Sequence, residues 1–372
     1  MNPEYLLKDP SQVYSPSLLF YKAIIARNIK AMVDRVGSPL RLRPHVKTHK
    51  TREIVRMERD AGITKQKCAT IAEAEMLAQC HVPDILLSYP MIGPNCERFA
   101  RLAKKYPLCH FSVIADSAIG LEQLSAAISR SGLEIEVLLD IDVGQHRTGV
   151  AAGPEARKLY EMIDRLPGLV PGGFHVYDGH NHQHPPEERK AAVEKLLEPV
   201  LQMRTECVKS GLPVLRMVFG GTPTFPVFAT LEIAGAECSP GTCVLNDNNY
   251  GQWFQDLKEF TPAALLLTRV ISRPTPTRVT FDLGYKAVAS DPPAGKRCVL
   301  LNVRDAVAVL HNEEHFVVET PDAERFKPGD VAYAMPSHVC PTSALHQFAN
   351  VVEDGVVVDR WEIAARDRVL TV

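Results

Sequence analysis

The sequence lacks any strong excess of charge of one sign, and this absence narrows the class of its partners. Its 372 residues carry 42 Lys and Arg against 44 Asp and Glu, which gives a net charge of −2. A chain of this kind offers no basic field to hold nucleic acid or an anionic membrane surface. We therefore expect a small-molecule partner, with no nucleic acid and no membrane.

Long apolar runs and paired cysteines are also missing. Lys8, Asp9, Pro10 and Lys22 interrupt the first thirty residues, so the pattern of a secretory signal is absent. No apolar stretch of about 18 residues, which would predict a membrane span, occurs elsewhere. The nine cysteines form no Cys-x-x-Cys pair and are expected to be reduced thiols. These absences predict a cytoplasmic protein.

Between about residues 40 and 245, eight short apolar runs alternate with charged, Ala-rich segments of helical character. Strands separated by helical crossovers of this length build parallel sheets, and eight such strands close a barrel. The eight runs are Leu40–Val46, Lys67–Thr70, Asp84–Ser88, His110–Ala115, Glu134–Ile141, Gly172–Tyr177, Val214–Phe219 and Ala234–Cys238. The pattern predicts an α/β fold with a (β/α)8 TIM-type barrel.

After Phe260 the pattern changes to β-rich segments separated by Pro/Gly turns, without long crossovers. Such segments predict an antiparallel β domain. They are Ala264–Ile271, Arg278–Leu283, Cys298–Val303, His315–Glu319 and Val356–Ile363. Since 372 residues exceed what one core usually serves, we expect two domains. The barrel is assigned to residues 16–255 and the β domain to residues 256–372, which residues 1–15 could join.

The catalytic groups of a closed α/β barrel lie where its strands end. The first predicted strand runs into Arg43-Pro-His45-Val-Lys47-Thr-His49-Lys50, and a period of two places Arg43, His45, Lys47 and His49 on one face. Crowding by cationic or titratable neighbours favours the free amine that forms an imine. Lys47 is thus a candidate nucleophile, with a solvated loop lysine as the alternative.

Two glycine-containing loops follow the seventh and eighth predicted strands, where barrel enzymes often bind a phosphate. They are Gly220–Thr224 and Ser239–Thr242. Their glycines allow backbone N–H groups to approach an anion, and their hydroxyls add donors. The fifth strand leads into Arg147, and parity places His175 and Tyr177 on one face of the sixth. These strand ends favour a flat, phosphorylated cofactor, with plain turns as the alternative.

Two further segments carry possible metal ligands. Alternate histidines in His180-Asn-His182-Gln-His184 can share one side of an extended segment, although a solvated polar loop explains them equally well. In Pro336-Ser-His338-Val-Cys340 an imidazole and a thiol lie two residues apart, and this soft N/S pair suits zinc. Two ligands do not complete a site. Glu314 and His315 could lie nearby, or form a charged turn.

The segment Arg43–Lys50 resembles the cofactor-lysine segment of the D-threonine aldolase and D-serine dehydratase family. That family belongs to the fold-type III pyridoxal-phosphate enzymes, together with alanine racemase. The resemblance covers nearly the whole chain. It extends through Asp142–Val150, Tyr177–Gly179, Gly221–Thr224, Ser239–Thr242, Asp282–Lys286 and His338–Cys340.

The resemblance implies that Lys47 carries pyridoxal 5'-phosphate as a Schiff base. It implies a cofactor site in which Arg147 lies beside the cofactor and Tyr177 near its pyridine nitrogen. The other implied cofactor-binding residues are His45 and, for the phosphate, Gly221, Thr222, Gly241 and Thr242. His338 and Cys340 would bind a divalent metal near Glu314 and His315, with zinc favoured over manganese or magnesium. A homodimer is implied as well.

The implied activity is that of a lyase acting on a D-β-hydroxy-α-amino acid such as D-serine, D-threonine or 3-hydroxyaspartate. Aldolases of the family typically carry Asp where this chain has Cys340, and Cys is typical of the zinc dehydratases, so dehydration is favoured over retro-aldol cleavage. In an aldolase, His182 or His184 could supply the base. The alternatives are an amino-acid racemase using Tyr285 or Tyr333, a non-catalytic pyridoxal-phosphate carrier, and a hydrolase whose metal is bound by the histidine run.

Overall fold

The computed structural model describes residues 1–372, which form two β-sheets and ten α-helices. The helices are α1 (Lys22–Val36), α2 (Arg52–Asp60), α3 (Ile71–Gln79), α4 (Pro94–Lys105), α5 (Ala118–Arg130), α6 (Pro154–Arg165), α7 (Pro186–Lys209), α8 (Phe225–Thr230), α9 (Asn248–Trp253) and α10 (Val339–Leu345). The strands are β1 (Ser17–Tyr21), β2 (Lys65–Cys68), β3 (Asp84–Leu87), β4 (His110–Ala115), β5 (Ile135–Asp142), β6 (Val150–Ala151), β7 (Leu169–Val176), β8 (Arg216–Phe219), β9 (Ala236–Cys238), β10 (Ala264–Thr275), β11 (Arg278–Phe281), β12 (Cys298–Leu300), β13 (Val307–His311), β14 (Phe316–Glu319), β15 (Val331–Pro336), β16 (Phe348–Glu353) and β17 (Val356–Glu362).

The first sheet is parallel, in the order β2-β3-β4-β5-β7-β8-β9, with β6 added beside β5. It closes through residues 42–45, since Leu42 bridges Cys238 of β9 and His45 bridges Lys67 of β2. This eighth segment is no full strand, because Pro44 has no N–H to donate and a 3-10 helix begins at Val46. The predicted (β/α)8 barrel is confirmed, with the first strand reduced to these bridges.

Side chains inside the barrel form layers, because alternate residues of each strand point inward. The layer at the amino ends of the strands is charged: Arg43 is completely buried there and bonds to Asp84 and Glu237. The middle layer is an apolar cluster of four buried residues, Leu86, Ile114, Leu138 and Val218. Inward residues one step further along the strands, such as Asp140 in β5, face the carboxyl ends.

The crossover helices begin at signals that the sequence carries. The Thr70 hydroxyl accepts a hydrogen bond from the Glu73 N–H at 3.1 Å and caps α3. Ser117 caps α5 in the same way, through the Gly120 N–H at 3.4 Å. Pro94 occupies the first position of α4, where its missing N–H costs nothing. None of the helices combines the length and the apolar character needed to cross a lipid bilayer.

The second sheet has nine strands in the order β13-β14-β11-β10-β1-β16-β17, with β15 pairing to β10 and to β12. It is antiparallel, as predicted, except that β1 runs parallel to β16. The expected barrel range of 16–255 included Ser17–Tyr21, but this strand pairs with β10 and β16 and lies in the second sheet. It follows an amino-terminal segment that contains no crossover helix, so its sequence gives no sign of its partners. The domain bounds otherwise stay a prediction.

Candidate active site

A cavity of about 610 Å³ opens at the carboxyl ends of the barrel strands. Polar side chains from several segments of the barrel reach it. They are His45, Lys47, Lys67, Ser88, Tyr89, Asn95, Asp140, Arg147, Thr148, His175 and Tyr177. The structure therefore brings together five residues that were expected at the strand ends, His45, Lys47, Arg147, His175 and Tyr177.

Lys47 lies in the 3-10 helix Val46–Thr48, directly after the segment that closes the barrel. Its main-chain N–H donates to the His45 Nδ1 at 3.3 Å, so the imidazole caps this short helix. The Lys47 Nζ lies 5.9 Å from the centre of the Tyr177 ring, and the Arg147 Cζ lies 4.9 Å from it. The helix ends the alternation expected after His45 and aims Lys47 at Tyr177.

Two glycines make room for the Tyr177 ring. A Cβ atom at Gly179 would lie 2.4 Å from the Tyr177 Cε1, and a Cβ atom at Gly221 would lie 3.0 Å from its Cε2. The first distance is shorter than packed carbon atoms tolerate, and the second is a tight contact that would require the ring to shift. The loops that carry these glycines therefore fix the position of the ring.

Three polar residues that line the cavity form a chain, and two of them, Asp140 and Lys67, were not among the residues expected at the site. The Asp140 Oδ1 lies 2.7 Å from the His175 Nδ1, and the His175 Nε2 lies 3.5 Å from the Lys67 Nζ. Alternation along β5 could have indicated Asp140, as the alternation along β7 indicated His175. Lys67 is harder to find, because a lysine in a short strand usually indicates an exposed face.

The cavity carries a surplus of positive charge. Lys47, Lys67 and Arg147 all lie within 6 Å of the Tyr177 ring centre, whereas Asp140 is the only carboxylate that lines the cavity. Burial raises the pKa of Asp140, but contact with His175 outweighs it and the pKa is lowered overall. Burial and the charge of Lys47 hold the pKa of His45 well below its ordinary value, so His45 is neutral. The cavity is therefore suited to an anionic ligand.

The two glycine-containing loops meet beside the Lys47 segment. The Thr222 Oγ1 accepts hydrogen bonds from the Gly241 N–H at 3.2 Å and from the Thr242 N–H at 2.9 Å. A Cβ atom at Gly241 would come within 3.3 Å of the His45 Cβ. Converging N–H groups beside a hydroxyl are typical of an anion site, and the glycine leaves room for this close approach.

His338 and Cys340 lie at the start of α10, which places them against the barrel. The Cys340 Sγ lies 3.2 Å from the Thr48 Oγ1 and 3.6 Å from the Thr242 Oγ1, so the pair adjoins both the Lys47 segment and the second loop. Burial raises the pKa of Cys340, but His338 and Lys47 lower it below its ordinary value. A thiol that ionises easily is a suitable metal ligand.

The His338 Nδ1 lies 2.5 Å from the Asp291 Oδ2. Burial lowers the pKa of His338, whereas Cys340 and Asp291 raise it, and it reaches about 9. A carboxylate behind a metal-binding imidazole commonly orients its ring. No group of three or more His, Cys, Asp or Glu side chains is arranged to hold a metal ion. The protein supplies this donor pair, and other ligands would have to complete a site.

Other candidate residues lie away from the cavity. His184 stacks on Trp253 with ring centres 6.0 Å apart, and His182 packs against Phe254. Neither histidine lines the cavity. Glu314 is exposed and pairs with Lys286 at 3.2 Å, which corresponds to the charged turn considered above. The neighbouring His315 is exposed as well.

Two residues expected beside Lys47 lie elsewhere. Arg43 lies one inward position before His45, in the charged layer at the amino ends of the strands, where it bonds to Asp84 and Glu237. His49 is completely buried beyond the 3-10 helix, where its Nδ1 accepts a hydrogen bond from the Thr51 N–H at 3.1 Å. Tyr333, a candidate base for a racemase, is buried and accepts a hydrogen bond from the Leu7 N–H at 3.1 Å.

Comparison with known proteins places the chain in a family. Residues 22–246 match the model of the alanine racemase N-terminal domain, and residues 263–352 match that of a putative serine dehydratase domain. D-threonine aldolase from Arthrobacter sp. is 32% identical over 368 residues, covering 96% of this chain and 94% of that protein.

Solved structures with a similar fold belong to the same family. D-threonine aldolase from Filomicrobium marinum superposes with a TM-score of 0.84 at 26% identity, covering 95% of both chains. D-threo-3-hydroxyaspartate dehydratase from Delftia sp. HT23 has a TM-score of 0.81 at 25% identity, covering 94% of this chain and 97% of that one. Another solved structure of an enzyme with the latter name is that of a cysteine-to-alanine mutant in the metal-free form. The chain is therefore a lyase of the pyridoxal phosphate-dependent family that includes D-threonine aldolase, D-threo-3-hydroxyaspartate dehydratase and D-serine dehydratase.

Proposed function

We propose that this lyase uses pyridoxal phosphate and a divalent metal to act on D-β-hydroxy-α-amino acids. The observation that carries the proposal is the cavity in which Lys47, Lys67 and Arg147 surround the Tyr177 ring. Its surplus of positive charge fits a cofactor with a phosphate and an ionisable ring oxygen. The paired loops that meet at Thr222 fit the phosphate.

Lys47 is the amine that would bind the cofactor covalently and then carry the proton at the substrate Cα. Neutral His45 holds the main chain of this short helix without adding charge beside the amine. Arg147 and Tyr177 would flank the cofactor ring, and Gly221, with Thr222, Gly241 and Thr242, would bind its phosphate. When bound, pyridoxal phosphate supplies a conjugated ring that accepts the electron pair of the bond broken at Cα.

His338 and Cys340 are the residues that would hold the metal. The imidazole and thiol donors favour zinc over manganese or magnesium. A divalent metal supplies Lewis-acid chemistry, here toward the substrate β-hydroxyl. The contact between Cys340 and Thr48 supports this assignment, because it brings the donor pair next to the segment of Lys47.

Two lyase reactions fit this site. Retro-aldol cleavage is supported by the 32% identity to D-threonine aldolase over nearly the full chain, so we propose it as the first activity to assay. Dehydration is supported by Cys340, since a thiolate and an imidazole select zinc, and this earlier expectation stays a prediction. The homodimer and the cytoplasmic location also stay predictions.

D-threonine separates the two reactions, because cleavage yields glycine and acetaldehyde whereas dehydration yields 2-oxobutanoate and ammonia. The products are measured with and without a chelator, and D-serine and D-3-hydroxyaspartate are compared in the same assay. Borohydride reduction followed by peptide mapping should find the pyridoxyl group on Lys47. A label on Lys50 or Lys67, or no label, would contradict the cofactor assignment. Full activity after removal of metal would contradict the metal assignment.

A further inference from the structure

The cavity contains a second lysine that the proposed function leaves without a role. Lys67 is 2% exposed and lies at the end of β2, with its Nζ 5.8 Å from the centre of the Tyr177 ring. The Lys47 Nζ lies at nearly the same distance, 5.9 Å, from that ring. Two amines therefore face one aromatic ring, although one covalent bond to the cofactor needs only one of them.

The Lys67 amine has no ion-pair partner among the side chains of the protein. Its single hydrogen-bond contact is the His175 Nε2 at 3.5 Å. The other ring nitrogen of His175 lies 2.7 Å from Asp140, and the carboxylate requires a proton on that nitrogen. The Nε2 is then free to accept a hydrogen bond from Lys67. The remaining N–H groups of Lys67 have no acceptor in the protein.

A buried ammonium group without a carboxylate partner is costly, and the cost falls if the group is neutral or if a ligand supplies the opposite charge. Burial and the charge of Lys47 lower the pKa of Lys67 to about 7, although Asp140 opposes this shift. Its charged form is therefore available near neutral pH when an anion binds. The phosphate has its own loops at Thr222 and Gly241, so a different anionic group must meet Lys67.

We propose that Lys67 is a second cofactor-binding amine, which binds the anionic ring oxygen of pyridoxal phosphate through a hydrogen bond and is oriented by His175 and Asp140. This inference rests on the proposed function. It assigns Lys47 the covalent bond and Lys67 a charge that neutralises the ring oxygen beside it. His175 and Asp140 are positioning residues, because they act through Lys67.

The test is a titration of the apoprotein with pyridoxal phosphate, followed by the visible absorbance of the lysine-bound cofactor. Lys67→Met should weaken cofactor binding about 10- to 100-fold, the range for losing a hydrogen bond to a charged group. Its absorbance band should also shift, because the ring oxygen loses its cation. Lys67→Arg should recover part of the affinity. Lys65→Met is the matched control, since Lys65 lies on the same strand but pairs with Glu237 at 2.6 Å, away from the cavity.

Thermal melting of the apoproteins separates binding from folding. Apo Lys67→Met should melt no lower than the wild type, because it removes a buried amine that has no ion pair. A lower melting temperature together with no rescue by Lys67→Arg would make Lys67 structural and overturn the proposal. Unchanged cofactor affinity would also overturn it, and a raised KM for D-threonine in that case would assign Lys67 to the substrate carboxylate.

The wild-type titration distinguishes this inference from the proposed function. If the wild type forms no lysine-bound cofactor band, the proposed function is wrong and the inference falls with it. If the wild type forms the band and Lys67→Met matches it in affinity and spectrum, only the inference is wrong.

Discussion

Replacing Arg43 by Met tests whether this residue lies at the base of the barrel, as the structure shows, or beside Lys47, as strand alternation predicted. The guanidinium is completely buried and donates to Glu237 at 2.5 Å and to both oxygens of Asp84 at 2.8 Å. Breaking a buried ion pair by removing one partner costs about 3–5 kcal/mol, because a charge is left uncompensated.

The expected loss for Arg43→Met lies at the lower end of this range. Asp84 retains Arg216 at 3.2 Å, and Glu237 retains Lys65 at 2.6 Å, so neither carboxylate is left alone. We expect the free energy of unfolding to fall by about 3 kcal/mol. Urea unfolding measures it, from the shift in midpoint at the wild-type m value.

The matched variant is Arg43→Met combined with Glu237→Gln, which removes a charge left behind by the arginine. It should recover at least about 1 kcal/mol relative to Arg43→Met alone. The lysine-bound cofactor band should persist in both proteins, because the charged layer lies at the opposite end of the barrel from Lys47. Loss of the band with unchanged stability would refute the reasoning and place Arg43 at the cavity.

Three further predictions concern the cavity, a buried acid and the metal pair. Gly179→Ala should weaken cofactor binding about tenfold, since the new methyl would push the Tyr177 ring into the cavity. The control variant Gly251→Ala should bind the cofactor as the wild type does, and equal affinities of the two variants would contradict the prediction. Burial raises the pKa of Glu58 from its ordinary 4.5 to about 8, so the folded state keeps a proton that the unfolded chain loses and stability falls as pH rises through this window. The difference in the free energy of unfolding between Glu58→Gln and the wild type should therefore move in favour of the variant by about 1–3 kcal/mol from pH 5 to pH 8. A difference in urea midpoints that does not change with pH would argue against this. Cys340→Ala should lose bound divalent metal and turnover but retain the cofactor band, and metal content equal to that of the wild type would count against a metal at this residue.

Sequence patterns alone were enough to predict the barrel and the strand ends that meet at its mouth. Apolar runs separated by crossover helices fix a parallel sheet, and eight of them close it, so residues that follow the strands must converge. Lys47, Arg147 and Tyr177 could therefore be expected in one region, because their convergence requires only the order of the elements.

The end of the barrel that each inward side chain faces depends on how the sheet closes, which became visible only in the folded structure. Arg43 and His45 share a face by alternation, yet one strand step separates the charged base from the cavity, and the 3-10 helix at Val46–Thr48 then ends the alternation. Lys67 and His175 meet only because β2 and β7 approach across the barrel interior, although they lie 108 positions apart in the chain. Such contacts depend on closure and register, which local sequence patterns do not encode.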